Sequence, residues 1–473
     1  MSGRKKTPPN TLRRLYPVSL GCAKNRVDTE IMLALLEAAG YQVVSRPQEA
    51  DLMLVNTCGF ITPACQEAID TILELAAYKQ DQPEKQLVVT GCLVQRYQQE
   101  LLDLLPEVDI FLGVNDFPRI VEVIRARSTT GRLHCQDGWQ HYELIWPRRL
   151  TTPFYSAYLK IAEGCSHHCT YCTIPQIRGP YRSRPLSTLV TEAKQLAAQG
   201  VRELNLVAQD TTAYGVDQGG RLLLPELLRQ LAGIAALQWI RLLYGHPARV
   251  TPELLRVMAD HPQICPYFDL PVQHVSDRLL HRMGRGYRQK DLWETLARIR
   301  TMIPAATLRT SVIVGFPGES EQDFAELCQV TAQMEFDHLG VFAYQPEEGT
   351  PAAKMAESVT PREANRRARR LRSLQARLNR KKLRRLKGTI QPVLIEGHSE
   401  ETELLLRGRL AGQAPEADGQ VYINAGWAEL GRLTPVRITK TYTYDLLGEV
   451  VGGQTACSEI EKNLTSWPDH VSI

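Results

Sequence analysis

The sequence predicts an α/β chain in three parts: an N-terminal parallel-sheet α/β domain, a central partial barrel of six βα units, and a small antiparallel C-terminal β-barrel. Three observations lead there. Strand-like apolar runs alternate with helical ones in two separate series, before and after a polar stretch at 129–150. The second series has the longer helices, as parallel barrels do. Beyond Gly388 the runs become short and are punctuated by turn residues. At 473 residues and 43% apolar content, the chain has enough core for two to four domains. The expected boundaries are 12–128, a linker at 129–150, 151–387, 388–452 and a flexible tail at 453–473.

In the first series the strand candidates are Tyr16–Leu20, Tyr41–Val44, Leu52–Asn56, Gln86–Thr90 and Ile110–Leu112. Thr62-Pro63 reads as a cap and first-turn proline opening a helix to about Tyr78. Cys22, Cys58 and Cys92 each follow a strand candidate. In a parallel sheet the carboxyl ends of strands share one edge, so three cysteines distant in sequence converge there. The helix starts just downstream are expected to stabilise their thiolates. One such cysteine reads as core packing; three in register read as a metal site. Cys65, Cys135, Cys265, Cys328 and Cys457 show no such pattern.

The second series has strand candidates at Ala157–Ala162, Glu203–Ala208, Trp239–Tyr244, Tyr267–Leu270, Leu308–Val314 and His338–Ala343. Helices between them include Ser187–Gln199, Pro225–Ala235, Pro252–Ala259, Lys290–Met302 and Glu321–Met334. Six units fall short of a closed eight-stranded barrel and leave a lateral mouth for a macromolecular substrate. Polar residues gather at the strand ends: Gln209-Asp210, His246, Gln273-His274 and Gly315–Glu319. Immediately after the first strand comes a C-x3-C-x2-C loop, Cys165, Cys169 and Cys172. Structural zinc takes four closed ligands, and His167 or His168 is the candidate fourth. A four-iron–four-sulfur cluster on three thiolates keeps one iron open, and the strand-end position favours this second reading.

Between Arg362 and Lys387 thirteen Lys and Arg meet one acid, a net +12 in a chain of +4. Leu371, Leu374 and Leu378, with Leu383 at the end, make a thin apolar stripe, so a helix should lie on the barrel with its basic face outward, offering RNA contact. The last part, 388–452, has nine acids and five bases, a net −4. That balance suits docking on a basic protein better than gripping phosphates. Its strand candidates are Gln391–Glu396, Leu404–Gly408, Gln420–Asn424 and Val436–Tyr442. No apolar run has transmembrane length, and basic Met1–Asn10 has no apolar stretch behind it. A cytoplasmic protein without a membrane partner is expected, its cysteines reduced and serving metals or catalysis.

With Tyr171 just before its last cysteine, the Gly164–Cys172 loop resembles the signature of the radical S-adenosylmethionine enzymes. From 12 to 452 the chain resembles the methylthiotransferases. The matching segments are Ser-Leu-Gly-Cys-Ala-Lys-Asn (19–25), Val-Asn-Thr-Cys-Gly-Phe-Ile (55–61) and Val-Thr-Gly-Cys-Leu (89–93). The resemblance implies a second four-iron–four-sulfur cluster on Cys22, Cys58 and Cys92, a radical core, and a C-terminal TRAM barrel. It implies S-adenosylmethionine bound beside Cys165, Cys169 and Cys172, with Tyr171, Gln209, Arg241 and Gln273 as candidate contacts. An electron donor such as flavodoxin or ferredoxin is implied as a partner. Segments 209–215, 344–349 and 414–419 resemble the branch that methylthiolates the β-carbon of an aspartate in small-subunit ribosomal protein twelve. The tRNA-adenosine branch reads Gln-Ser-Gly-Ser after barrel strand four, where this chain has Gln273-His274-Val275-Ser276. Leu447 departs from the ribosomal-protein branch, which places Trp there, so an aromatic docking contact is expected to be weakened or replaced. The competing readings are tRNA methylthiolation and a non-catalytic, metal-stabilised RNA-binding module.

Overall fold

The structure, a computed structural model, describes residues 13–80, 82–126, 131–136, 138 and 143–452. Met1–Asn10, Trp139, Cys457 and the tail 453–473 lie outside the described residues, as does part of the 129–150 stretch.

The first sheet is all parallel. Its strands are β1 (Arg13–Ser19), β2 (Tyr41–Val43), β3 (Leu52–Thr57), β4 (Gln86–Gly91), β5 (Ile110–Leu112) and β6 (Leu133–His134), in the order β2-β1-β3-β4-β5-β6. Every residue of β3 is buried, because helices cover both faces of the sheet. The helix Ala23–Ala38 packs on one face and Thr62–Ala77 on the other. β6 falls within the stretch read as linker. Two residues are too short a run to show a strand pattern, and the pairing is fixed by Arg132, which donates to the carbonyls of Leu105 at 2.9 Å and Val108 at 3.0 Å. Thr62 is not the cap of its helix. It is the first helical residue, after Ile61, and its backbone N–H donates at 2.9 Å to the carboxylate of Glu347, 285 residues away.

The central part has six parallel strands: β7 (Ser156–Lys160), β10 (Glu203–Val207), β11 (Trp239–Leu242), β12 (Tyr267–Asp269), β13 (Thr307–Val314) and β14 (His338–Ala343). They form two three-stranded sheets, joined where Cys265 donates to the carbonyl of Ile240 at 2.9 Å. The run read as one strand, Ala157–Ala162, divides at Ile161 into β7 and β8 (Ala162–Glu163); β8 pairs with β9 (Arg182–Ser183) across the cysteine loop. The basic helix is Pro361–Leu383, and its buried seam is wider than its leucines indicate: Ala364, Ala368, Leu371, Gln375 and Asn379. Gln375 donates through Nε2 to the carbonyl of Phe336 at 2.9 Å and to Asn379 at 2.6 Å, so its donor group is paired within the seam. Among the described residues no helix is long and apolar enough to cross a membrane.

The C-terminal barrel closes from β15 (Ile390–His398), β16 (Leu406–Arg409), β17 (Val421–Ala425), β18 (Leu433–Thr441) and β19 (Leu446–Val450), in the order β15-β16-β17-β19-β18. β19 runs parallel to β17 and carries Leu447, which is 8% exposed. The residue is part of the barrel wall.

This barrel is tied to the floor of the central one by a buried ion network. Arg409 bonds both carboxylate oxygens of Glu203, at 3.0 and 2.7 Å, and Glu396 at 2.7 Å. Arg241 joins Glu203 at 3.3 Å and donates to the carbonyl of Ala411 at 2.6 Å. Burial pushes the Glu203 carboxyl up, but Arg409 and Arg241 outweigh it and hold it down at about 2. A depressed folded pKa means stability that is present above the ordinary glutamate range and lost as pH falls toward 2. Glu203→Gln is therefore expected to cost roughly 3–5 kcal/mol at pH 7, because two buried guanidinium groups lose their shared anion. In urea titrations across pH, the gap between wild type and variant should narrow below about pH 4.5; a gap that widens there contradicts the assignment.

Candidate active site

β1, β3 and β4 are neighbours in one sheet, so the residues after them meet at one edge. Cys22 is the residue before the helix Ala23–Ala38, Cys58 follows β3, and Cys92 opens a short helix after β4. Asn25 ties the edge together, its side-chain amide donating to the carbonyls of Leu20 at 3.1 Å and Thr57 at 2.9 Å. Gly59 has to be glycine: a Cβ there would stand 2.7 Å from the backbone of Cys92. The expectation that helix starts stabilise all three thiolates holds for one. Burial pushes Cys22 up, but Lys24, Arg178 and two backbone N–H groups outweigh it and leave the thiol lowered. Burial prevails at the other two, raising Cys58 and pushing Cys92 up to about 11 despite Arg178.

The second cysteine loop follows β8. Gly164 turns it with φ +78°, a conformation favouring glycine. Cys165 donates its backbone N–H to Gly179 at 3.0 Å, and Thr170 holds the loop to Met283 at 3.0 Å and, through its hydroxyl, to Arg282 at 2.8 Å. Arg285 reaches Cys169 Sγ at 3.5 Å while bonding Tyr287 Oη at 3.0 Å. Burial pushes Cys172 up to about 12 and also raises Cys165. The ring of Tyr171 packs edge-on against Phe316. His167 is engaged elsewhere: its Nε2 lies 2.8 Å from Asp210, and its ring stacks on His246 at 4.3 Å. His168 is exposed. Neither histidine is placed as a fourth ligand. Among the described residues, no three His, Cys, Asp or Glu side chains are grouped to hold a single metal ion.

Between the two loops stands Arg178, the last residue of the helix Ile174–Arg178. Its guanidinium contacts Cys92 Sγ at 3.3 and 3.1 Å, Asp28 at 3.2 Å and Glu163 at 3.0 Å. Lys160 completes the network, bonding Asp28 and, at 2.9 Å, Glu163. Burial raises Glu163, but Arg178 and Lys160 outweigh it and hold it at about 2. Two acids and two bases thus cancel in a buried seam. Gln209 joins them through Nε2, 2.6 Å from Glu163. Its Oε1, like His246 Nδ1 and Tyr344 Oη, is buried without a hydrogen-bond partner among the described residues. Such atoms at a barrel rim have hydrogen-bonding capacity to offer a polar ligand. Gln273 is half-buried after β12, at φ +67°, its N–H bonded to Ser311 at 2.8 Å.

Arg241 is not with them. It is fully buried and committed to Glu203 and Ala411 in the network that holds the C-terminal barrel. In the Gly315–Glu319 turn Arg367 binds the Glu319 carbonyl at 3.0 Å, while Glu319 Oε1 has no hydrogen-bond partner among the described residues. The residues that sequence reasoning missed are Lys24, Asp28, Lys160, Glu163 and Arg178. Two of them had a signal: Lys160 and Glu163 interrupt or end an otherwise apolar strand, and a charge in a buried strand needs a partner.

A three-cysteine loop at the carboxyl end of the first strand of an open six-stranded parallel barrel defines a radical S-adenosylmethionine enzyme. The Radical SAM superfamily description matches residues 159–330, between Uncharacterized protein family UPF0004 at 14–113 and a TRAM domain at 388–451. The chain is 51% identical over 440 residues to ribosomal protein uS12 methylthiotransferase RimO of Pelobacter propionicus, covering 93% of this chain and 98% of that protein. The enzyme of the same name from Geobacter sulfurreducens is 49% identical over 446 residues, covering 93% and 99%. The chain belongs to this RimO family of methylthiotransferases. Among solved structures, the radical S-adenosylmethionine methyltransferase TsrM from Kitasatospora setae, with cobalamin and a [4Fe-4S] cluster bound, is similar in fold, with TM-score 0.56 and 16% identity over 73% of this chain and 77% of that one.

Proposed function

We propose that the protein methylthiolates the β-carbon of an aspartate in ribosomal protein uS12, and that Cys165, Cys169 and Cys172 hold one four-iron–four-sulfur cluster and Cys22, Cys58 and Cys92 a second. The observation that carries this reading is Arg178, whose guanidinium bonds Cys92 of the first triplet and Glu163, two residues before Cys165 of the second. The donor sets suit the groups: each supplies three thiolates, as a four-iron–four-sulfur cluster with one open iron requires, at the carboxyl ends of parallel strands. When bound, the clusters and S-adenosylmethionine supply one-electron cleavage to a hydrogen-abstracting radical, and sulfur for transfer. An unactivated C–H bond has no acidic proton, so a general base would not serve.

The chain's own residues do the positioning. Gln209, His246 and Tyr344 present polar atoms for the S-adenosylmethionine ligand, with Tyr171 and Gln273 at the same rim. Arg178, Lys160, Asp28 and Glu163 fix the N-terminal helix Ala23–Ala38 against the start of the second cysteine loop. The exposed face of Pro361–Leu383 would meet ribosomal RNA, and a flavodoxin or ferredoxin would deliver the electron. The test offers the anaerobically reconstituted enzyme both uS12 and tRNA, and reads the added methylthio group by mass spectrometry. Modified aspartate is expected; a labelled adenosine with unmodified aspartate would move the chain to the tRNA branch.

A further inference from the structure

Lys24 is the second residue of the helix Ala23–Ala38 and lies two residues after Cys22. It is 8% exposed, and its ammonium sits 3.8 Å from the centre of the Tyr244 ring. Among the described residues it makes no ion pair and no hydrogen bond. A π-face attracts a cation but accepts none of its N–H bonds in the ordinary way. An ammonium removed from water with its donors unmatched is costly unless something arrives to match them. The neighbouring seam cannot do so, because Asp28 and Glu163 are already taken by Lys160 and Arg178. The Lys24 charge favours the Cys22 thiolate two residues away, but no carboxylate among the described residues hydrogen-bonds it.

Tyr244 is held in place to receive it. The residue follows β11 at the carboxyl end of the barrel, with φ +59°. That left-handed conformation is unfavourable for a side chain with a Cβ. It is maintained by the Tyr244 N–H donating to Asp269 at 3.0 Å and the Tyr244 carbonyl accepting from Thr211 at 3.0 Å. The ring of the barrel rim and the ammonium of the N-terminal domain therefore meet close to Cys22 of the first triplet.

We propose that Lys24, seated on Tyr244, receives the side-chain carboxylate of the substrate aspartate. This rests on the aspartate methylthiolation proposed above. A carboxylate supplies the acceptors that Lys24 lacks and neutralises its charge. The reacting β-carbon is bonded directly to that carboxylate. Anchoring the one presents the other with a single torsion left free, so hydrogen removal and sulfur capture address the same carbon.

The proposal predicts discrimination between an acid and its amide. Reconstituted wild type and Lys24→Gln are compared on uS12 carrying Asp or Asn at the target position. Wild type should favour Asp by about 100-fold in kcat/KM, and Lys24→Gln should bring that ratio within about threefold of one. Anisotropy of labelled uS12 should show the affinity for the Asp form falling about tenfold or more, and that for the Asn form nearly unmoved. Lys24→Arg should restore part of the preference. Tyr244→Leu, which removes the ring beneath the ammonium, should lower it partway even if Lys24→Gln folds poorly. An undiminished Asp preference in Lys24→Gln, with a shifted reduction potential, would assign Lys24 to the auxiliary site instead and overturn the proposal. Wild type that leaves the Asp form unmodified would overturn the substrate reading as well, and so is distinguished from that outcome.

Discussion

Cys165→Ala, Cys169→Ala and Cys172→Ala together are expected to halve the bound iron and abolish formation of 5′-deoxyadenosine. Cys22→Ala, Cys58→Ala and Cys92→Ala together should also halve the iron, while reductive cleavage of S-adenosylmethionine stays detectable. The asymmetry follows from the architecture. One triplet sits at the end of the first barrel strand, beside the rim atoms that lack partners. The other belongs to a separate sheet with its own packed core. Each loop also has local braces, Asn25 for one and Thr170 with the Cys165 N–H for the other, which remain when the cysteines of the opposite triplet are replaced. Iron and sulfide analysis with product chromatography would decide the matter. Stoichiometric zinc without sulfide in the unaltered protein would refute both halves.

Arg178→Met is expected to lower stability by about 3–5 kcal/mol, the cost of stranding buried charge. Arg178 is 6% exposed and meets Asn25, Asp28, Cys92 and Glu163 at once. Without it, Lys160 alone must balance two carboxylates. Arg178→Lys should recover only part of the loss, since an ammonium is a point charge and cannot span the fork's partners. The same variants should release more 5′-deoxyadenosine per methylthiolated product, because the triplets lose the residue that joins them. Anaerobic urea unfolding and product ratios measure both effects. A stability change under about 1 kcal/mol would remove Arg178 from this role.

Strand and helix periodicity made the barrel readable: His338–Ala343 and Glu321–Met334 fall where their patterns end. What stayed hidden depended on partners far along the chain. β6 exists because Arg132 reaches the carbonyls before β5. β19 is a five-residue strand that forms only between two others, parallel to β17 and antiparallel to β18. Arg241 looks like a rim residue on its strand, yet its charge is drawn to Glu203 on the neighbouring strand and to the C-terminal barrel. The cysteines of the candidate site were legible because strand ends in a parallel sheet share an edge. The charged seam between them was not, since Asp28 and Arg178 lie 150 residues apart.

The hydrogen bond from Thr62 to Glu347 also sets a schedule. It spans 285 residues, and Arg96 binds the same carboxylate at 3.2 Å. At roughly 5–20 residues per second, about 15–60 s of synthesis separates the two ends of that contact. Throughout that interval the N-terminal sheet edge, with Cys22, Cys58 and Cys92 on it, is without the barrel that later covers it. Three thiols at an uncovered edge are open to oxidation and to adventitious metals during every round of translation. The nascent chain thus has a defined period in which the first triplet has to be shielded or loaded.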